Sequence, residues 1–213
     1  MIRLMLCDDH LAFLDGVIEV LKKYPNFEVI GKATSGKECI QLISDHLQPD
    51  ILLLDISMPN GISGYEVAKY IHLKKLPIKV IAVSMLDDLQ AIKAMIRFGA
   101  KGFVCKGNSL KGIDEIIQTV YNGNEYYPEE LHLTPKQIEK IKHTPIPWLE
   151  NMHPQEWEII QSIANDNSQK IVSKQMDISD SLVSKRLRSL CKKTGSNSSI
   201  GLINFFKSVG MIK

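Results

Sequence analysis

Five short apolar runs alternate with five amphipathic segments in the first half of the chain, and this alternation constrains the fold most. The apolar runs predict strands at 2–7, 27–33, 51–54, 78–83 and 102–105. The helical spacing of apolar residues predicts helices at 11–23, 37–47, 64–74, 87–98 and 110–121. Repeated strand–helix order is typical of an α/β fold, so we expect a doubly wound, five-stranded parallel sheet.

The alternation stops near Asn122, and a different organisation follows. Residues 123–151 contain four prolines and are predicted to form a linker, with a possible helix between Pro135 and Pro145. Only helical spacing follows, and it predicts helices at 155–165, 168–176, 179–194 and 198–209. The predicted organisation is therefore a domain at 1–122, a linker at 123–151 and a small all-α, four-helix domain at 152–213.

The distribution of charge and the spacing of the cysteines indicate which partners the protein can bind and in which cellular compartment it lies. Residues 1–122 carry as many acidic as basic side chains, whereas 150–213 has nine basic against six acidic ones, so the positive excess is C-terminal. The four cysteines are scattered without a Cys-x-x-Cys pair, which favours reduced thiols in a cytosolic protein over a zinc site. The first apolar run is too short for a signal peptide, and no run approaches a membrane span. We therefore expect a cytoplasmic protein without a membrane partner.

Polar residues end four of the five predicted strands. Asp8 and Asp9 follow the first strand, Asp55 the third, Ser84 the fourth and Lys106 the fifth. In α/β sheets the chemistry lies at the carboxyl ends of the strands. Carboxylates are the ligands that Mg²⁺ prefers, an aspartate can attack a phosphoryl group, and an ammonium can neutralise that group.

Each of these residues also has an ordinary structural explanation. An aspartate pair at a strand end often forms a turn or caps a helix, and a lone lysine in a loop is common. Because all of them follow the right strands in one order, we interpret them as a joint site for one divalent cation and one phosphoryl group.

The arrangement closely resembles the receiver domain of bacterial two-component response regulators, over about residues 1–122. The matching residues are Asp8-Asp9-His10, Asp55 with Met58-Pro59, Ser84, and Gly102-Phe103 with Lys106. The resemblance implies a flavodoxin-like sheet, Asp55 as phosphoacceptor, and Mg²⁺ held by Asp8, Asp9, Asp55 and the backbone carbonyl of Ser57. It implies that Lys106 binds the phosphoryl group and that Ser84 and Phe103 form a switch pair, although Phe103 in a short strand also fits a core position. It further implies a sensor histidine kinase as the phosphoryl donor.

Residues 168–195 have the spacing of a helix-turn-helix. A helix at 168–176 is followed by a turn at Asp177-Ile178 and by a second helix that Ser179 is placed to cap. Val183, Leu187 and Leu190 are predicted to face the core, and Lys185, Arg188 and Lys192 the opposite side. A basic face of this kind can bind DNA phosphates, and residues near the helix start can reach base edges. We interpret Ser184, Lys185, Arg186, Arg188 and Lys192 as the DNA-binding residues; the alternative is a solvated basic face.

The C-terminal segment resembles the LuxR-type output domain, so the whole chain resembles a response regulator of the NarL/FixJ family. The resemblance rests on Pro154 to Ile160, Ser168 to Val172, and Ile178 to Arg188. It implies phosphorylation-controlled binding to double-stranded DNA, transcription control, and a homodimer when phosphorylated. The Leu-Thr-Pro opening of the family is replaced by Met152-His153-Pro154, and the basic residues of the second helix are displaced by a position or two.

Two other classes of function stay open at this stage. The first is an aspartyl-phosphate phosphatase, but such enzymes carry a second aspartate two positions after the nucleophile, where this chain has Ser57. The second is a signalling module that acts by protein contact through a degenerate output domain, which the departures at 182–186 permit. We expect a non-enzyme.

Overall fold

The computed structural model describes residues 1–58, 61–85, 88–106 and 112–212, and divides them into two compact units, Met1–Thr144 and Pro145–Lys213. The first unit contains one parallel sheet in the strand order β2-β1-β3-β4-β5. Its strands are β1 Ile2–Cys7, β2 Phe27–Ala33, β3 Ile51–Leu54, β4 Lys79–Ser84 and β5 Gly102–Cys105. The predicted five-stranded parallel sheet is confirmed, with β4 displaced by one residue.

Five helices follow the strands, as predicted. They are α1 Leu11–Leu21, α2 Gly36–Ser44, α3 Gly64–Leu73, α4 Leu89–Arg97 and α5 Ile113–Tyr121. The predicted start of α4 at 87 and that of α5 at 110 fall outside the described residues. Ser35 caps α2 by accepting a hydrogen bond from the amide of Glu38, and Ser63 begins α3 in a reciprocal capping box with Glu66.

The middle of the sheet is fully covered because its strands are apolar on both faces. All four residues of β3 are buried, and one side of the sheet packs against Leu14, Val17 and Ile117 from α1 and α5. A buried parallel strand needs such a continuous apolar run, since helices cover both of its faces. The polar residues that follow these strands therefore lie at the edge of a rigid layer.

Residues 123–144 belong to the first unit. The amide of Phe103 donates to the carbonyl of Tyr126, so this segment pairs with the outer edge of β5. Helix α6, Pro135–His143, begins with a Thr134–Gln137 capping box and packs against α4, where Arg97 Nη1 donates to the carbonyl of Lys142 at 2.9 Å. The helix expected between Pro135 and Pro145 is present, and most of the stretch predicted as a linker, residues 123–144, packs as part of the first unit.

Every secondary-structure element described in the second unit is a helix. The helices are α7 Pro147–Glu150, α8 Pro154–Ala164, α9 Gln169–Gln175, α10 Asp180–Thr194 and α11 Ser199–Ser208. The four predicted helices are present, and α7 is an additional single turn whose Trp148 packs edge-on against Phe205. One turn is too short to show a periodicity, so the sequence pattern missed it. Among the described residues, none of the helices has both the length and the apolar character needed to cross a membrane.

Candidate functional sites

The sheet positions Asp8 and Asp55 side by side. Asp8 follows β1 and its amide donates to the carbonyl of Ala33 at 3.1 Å, whereas Asp55 follows β3 and its amide donates to the carbonyl of Cys7 at 2.8 Å. These bonds extend the two strand ladders by one residue, so both backbones are fixed. The point between β1 and β3 is where the strand order reverses, which is where folds of this type bind ligands.

Lys106 connects the two carboxylates. Its Nζ lies 2.6 Å from Asp8 Oδ2 and 3.2 Å from Asp55 Oδ1, and 4.6 Å from the centre of the Phe13 ring. The side chain is only 8% exposed. A buried ammonium is costly unless it is paired, and these contacts compensate for the burial of Lys106.

Asp9 and His10 complete a group of ligand atoms that could hold a cation. One ligand atom each from Asp8, Asp9, His10 and Asp55 lies within 4.8 Å of the others. His10 Nδ1 is 3.0 Å from Asp9 Oδ1 and 3.3 Å from Asp8 Oδ1. The carboxylates suit a hard divalent ion such as Mg²⁺. The sequence interpretation gave no role to His10 or Phe13, although His10 follows the aspartate pair directly.

The environment of Asp55 sets its ionisation. Burial raises the pKa of the Asp55 carboxyl, while Lys106 opposes this rise and Asp8 adds to it. A backbone hydrogen bond from Ser57 also favours the charged form. Gly64, the first residue of α3, approaches so closely that a Cβ there would lie 2.1 Å from the carbonyl oxygen of Asp55. Glycine is therefore required beside the candidate acceptor.

Ser84 and Phe103 lie on the two strands beyond β3. Ser84 is the last residue of β4 and is fully buried, and Phe103 on β5 is 1% exposed. In the β4–β5 register, Ser84 is opposite Cys105 and Phe103 is opposite Ala82. The ring of Phe103 thus occupies a buried position, which suits both of its predicted roles, core residue and member of a switch pair.

Helices α9 and α10 form the predicted helix-turn-helix. The turn passes through Asp177, whose φ is 52°, and Ser179 caps α10 by accepting from the amide of Leu182 at 3.2 Å. The hydroxyl of Ser173 on α9 donates to the carboxylate of Asp180 at the start of α10. Val183, Leu187 and Leu190 are buried, as predicted from their spacing.

The basic residues of α10 divide into an exposed and an engaged set. Lys185, Arg188 and Lys192 are exposed, three and four residues apart along the helix. Arg186 instead donates to Gln155 Oε1 at 3.1 Å and lies 3.3 Å from His153 Nε2 at the start of α8.

Two further contacts bind α10 to its neighbours. Ser184 donates to Gln169 Oε1 on α9 at 3.1 Å. Lys193 lies 2.5 Å from Glu156 Oε2, a carboxylate that is buried at the start of α8. The structure therefore brings only three of the five predicted DNA-binding residues together on the open face of α10.

Comparison with known proteins agrees with this geometry. Residues 4–118 match the response regulator receiver domain, which is more than half of the chain. The chain is 26% identical to the response regulator GacA of Pseudomonas aeruginosa over 215 residues, covering 100% of this chain and 98% of GacA. The relatives therefore extend over both units.

Two solved structures are similar in fold. The signal receiver domain of a NarL response regulator from Mycobacterium tuberculosis is 31% identical, with a TM-score of 0.54, and the match covers 58% of this chain and 98% of that one. RcsB from Salmonella enterica serovar Typhimurium, bound to the rprA promoter in the presence of the phosphomimetic BeF3⁻, is 20% identical with a TM-score of 0.62. That match covers 98% of this chain and 100% of RcsB. The chain therefore belongs to the response regulator receiver family, and over its whole length it is similar to response regulators such as GacA.

Proposed function

We propose that Asp55 accepts a phosphoryl group from a sensor histidine kinase and that this modification controls DNA binding by the second unit. The observation that carries the proposal is the ammonium of Lys106 between the carboxylates of Asp8 and Asp55, within the segment that matches the receiver family. A protein of this kind controls transcription according to the phosphorylation state of its receiver.

The acceptor step follows from the chemistry of a carboxylate nucleophile. An oxygen of Asp55 attacks the phosphorus of a phosphohistidine, an acyl phosphate bond forms, and the nitrogen–phosphorus bond breaks. Lys106 lies 3.2 Å from Asp55 Oδ1, where its charge can neutralise a phosphoryl oxygen. The protein is thus a substrate of the transfer, and we propose no catalytic turnover of other molecules.

The carboxylate group fits Mg²⁺. Asp8 and Asp55 are buried, and Asp9 lies beside them, so three carboxylates meet at this edge of the sheet. We assign the ion to Asp8, Asp9, Asp55 and the backbone carbonyl of Ser57. When bound, Mg²⁺ supplies positive charge beside the transferred phosphoryl oxygens.

Ser84 and Phe103 are proposed to report the state of Asp55. The Ser84 hydroxyl would donate to a phosphoryl oxygen. The ring of Phe103 would then change its position as Ser84 moves. Such a device biases a two-state equilibrium by its differential stabilisation of the two states. We propose that the change is transmitted from the sheet to the surface of the unit through the packing of α4 against α6.

The second unit is proposed to bind double-stranded DNA with the exposed face of α10. Lys185, Arg188 and Lys192 would contact phosphates and base edges, as a recognition helix does in a major groove. The similar RcsB is bound to promoter DNA, and another RcsB structure contains two dimers on two DNAs. We propose that this chain likewise binds paired half-sites as a homodimer, in the cytoplasm, where its four unpaired cysteines would stay reduced.

Capture of sheared genomic DNA by the full chain, with and without Mg²⁺ and beryllofluoride, tests the proposal. We expect discrete DNA sites that are enriched only with the phosphate mimic, together with a rise in oligomeric mass. The Asp55→Asn variant serves as the acceptor-dead control, and a Lys185→Ala/Arg188→Ala double variant as the DNA-contact control. Equal enrichment in both states would mean that phosphorylation does not control DNA binding. No enrichment in either state would favour the alternative, a signalling module that acts by protein contact.

A further inference from the structure

A second concave site lies at the amino-terminal edge of the sheet, at the opposite end of the strands from Asp55. It is a groove of about 880 Å³ between the end of α3, the end of α4 and helix α6. Its walls come from residues between Ile71 and Val80, from residues between Ile96 and Lys101, and from α6. This volume lies within the range of clefts that bind small molecules.

The groove has a strong excess of positive charge. Its lining has a single glutamate, Glu139, against five lysine and arginine side chains, namely Lys75, Lys79, Arg97, Lys101 and Lys142. Cations that converge on one concavity raise the local concentration of anions.

The positive charges are only partly neutralised inside the unit. Lys101 Nζ and Lys142 Nζ lie 2.9 Å and 2.8 Å from the same oxygen, Glu125 Oε1, and Lys142 Nζ also lies 3.5 Å from Glu139 Oε2 on α6. Lys79 Nζ donates to a neutral acceptor, the carbonyl of Tyr121, at 2.6 Å. Lys75 forms no ion pair with any of the described residues.

Lys75 is placed in the groove by an unfavourable backbone conformation. It follows α3 with a φ of 52°, in the left-handed region where helices usually end with glycine. A lysine there costs about 1 kcal/mol relative to glycine. Its side chain is exposed. A lysine at this position therefore suits a role for its charge.

The floor of the groove is apolar, which restricts the kind of anion that fits. Ile71, Leu76, Ile96 and Phe98 line it between the basic side chains, and the exposed ring of His72 lies over Gly99. A simple inorganic anion would leave this surface uncovered. A ligand with a flat apolar part and a diphosphate would cover it and pair with the lysines.

We infer that this groove binds a nucleoside diphosphate or a closely similar phosphorylated nucleoside. Its diphosphate pairs with Lys75 and with the Lys101–Lys142 pair, and its base covers the apolar floor between α3 and α4. Because α6 forms one wall, the ligand stabilises the packing of α6 on α4. The site is separate from Asp55 and does not require phosphorylation.

Calorimetric titration of the full chain with ADP, in buffer with EDTA, tests the inference, since chelation removes any cation from the Asp8–Asp55 cluster. We expect saturable binding that the Lys75→Glu substitution weakens about ten-fold or more. Lys74→Glu is the matched control, because it makes the same charge change at an exposed neighbour outside the groove. The Lys185→Ala/Arg188→Ala variant is a second control for binding to the second unit.

Two further arms make the result decisive. Pyrophosphate and adenosine should each bind more weakly than ADP, and amide signals of Gly99 and Lys101 should shift on titration with ADP. No binding at millimolar ADP, or binding that Lys75→Glu leaves unchanged, would overturn the site. Equal affinity for pyrophosphate and ADP would overturn the nucleoside assignment, and loss of binding in the Lys185→Ala/Arg188→Ala variant would move the site to the second unit.

Discussion

Lys106 lies closer to Asp8 than to Asp55, with Nζ–Oδ distances of 2.6 Å and 3.2 Å. The ammonium therefore occupies space beside the carboxylates that we assign to Mg²⁺. Two cations at one site repel each other, so Lys106 both holds the carboxylates together and weakens Mg²⁺ binding.

Replacement of Lys106 by methionine keeps the length of the side chain and removes its charge. We expect the Mg²⁺-free protein to lose about 3 kcal/mol of unfolding free energy, because two buried carboxylates lose their partner. We also expect Mg²⁺ to restore more stability than it adds to the wild type. Urea unfolding with and without Mg²⁺ measures both effects, with Lys22→Met, at an exposed lysine that directly follows α1, as the control. If Mg²⁺ did not reduce the loss of stability, the ion would not bind at this site.

Gly64 and Gly16 form a matched pair for a test of backbone approach. A Cβ at Gly64 would lie 2.1 Å from the carbonyl oxygen of Asp55, whereas a Cβ at Gly16 in the middle of α1 would meet nothing within 4 Å. We expect Gly64→Ala to lower the unfolding free energy by about 2 kcal/mol or more, since backbone must move. Gly16→Ala should raise it by up to about 1 kcal/mol through helix propensity. Urea unfolding of the two variants would contradict this explanation if both gave the same change.

The fold of the first unit could be predicted because its signals are local and repeated. Five continuous apolar runs and the helical spacing between them determine the parallel sheet, and the bounds of four strands were predicted to the residue. The single turn α7 and the pairing of Tyr126 with β5 could not be predicted. Both depend on contacts between distant residues, and neither has a sequence period of its own.

In the candidate sites, too, side-chain contacts between distant residues could be predicted only in part. Strand order explains why Asp8 and Asp55 meet, since β1 and β3 are neighbours. Lys106 follows β5, two strands from β3, and its long side chain reaches back to both carboxylates. The sequence does not show that the Arg186 side chain contacts α8. Helical periodicity gives only the direction in which a side chain leaves the axis of its own helix. The bond to Gln155 depends on how α8 crosses α10, which the sequence pattern does not contain.

Glu125 makes the attachment of α6 to the first unit dependent on pH. Burial alone would raise the pKa of Glu125, but hydrogen bonds from Lys142 and Lys101 hold that pKa below the ordinary value of 4.5. A carboxyl with a depressed pKa stabilises the fold fully above its unfolded pKa, and this stability is lost as the pH falls through the folded pKa. The pairing should therefore weaken below about pH 4.5.

Glu125→Gln should lower the unfolding free energy by about 1 kcal/mol at neutral pH. The difference between wild type and variant should shrink as the pH falls below about 4.5, because the wild-type carboxylate becomes protonated. Urea unfolding above and below this pH measures the difference, with the exposed Glu129→Gln as the control in the same segment. A difference that stays constant with pH would mean that charge on Glu125 is not what holds α6.

Arg186 and Arg188 lie two residues apart on α10 but face different surroundings. Arg186 donates to Gln155, whereas Arg188 is exposed. We expect Arg186→Ala to lower the unfolding free energy of the second unit by about 1–2 kcal/mol, and Arg188→Ala to change it by less than about 0.5 kcal/mol. DNA affinity should show the reverse order, and Arg188→Ala should also reduce the salt dependence of binding by about one phosphate contact.

The two tryptophans allow this comparison in the full chain. Trp148 and Trp157 both lie in the second unit and are the only tryptophans of the sequence, so their fluorescence follows the unfolding of that unit alone. Salt-dependent binding of each variant to a captured duplex gives the second measurement. The variants remove the same charge from the same helix, so a difference between them reflects the direction of the side chain. If Arg186→Ala weakened DNA binding as much as Arg188→Ala and left stability unchanged, Arg186 would belong to the DNA-binding face.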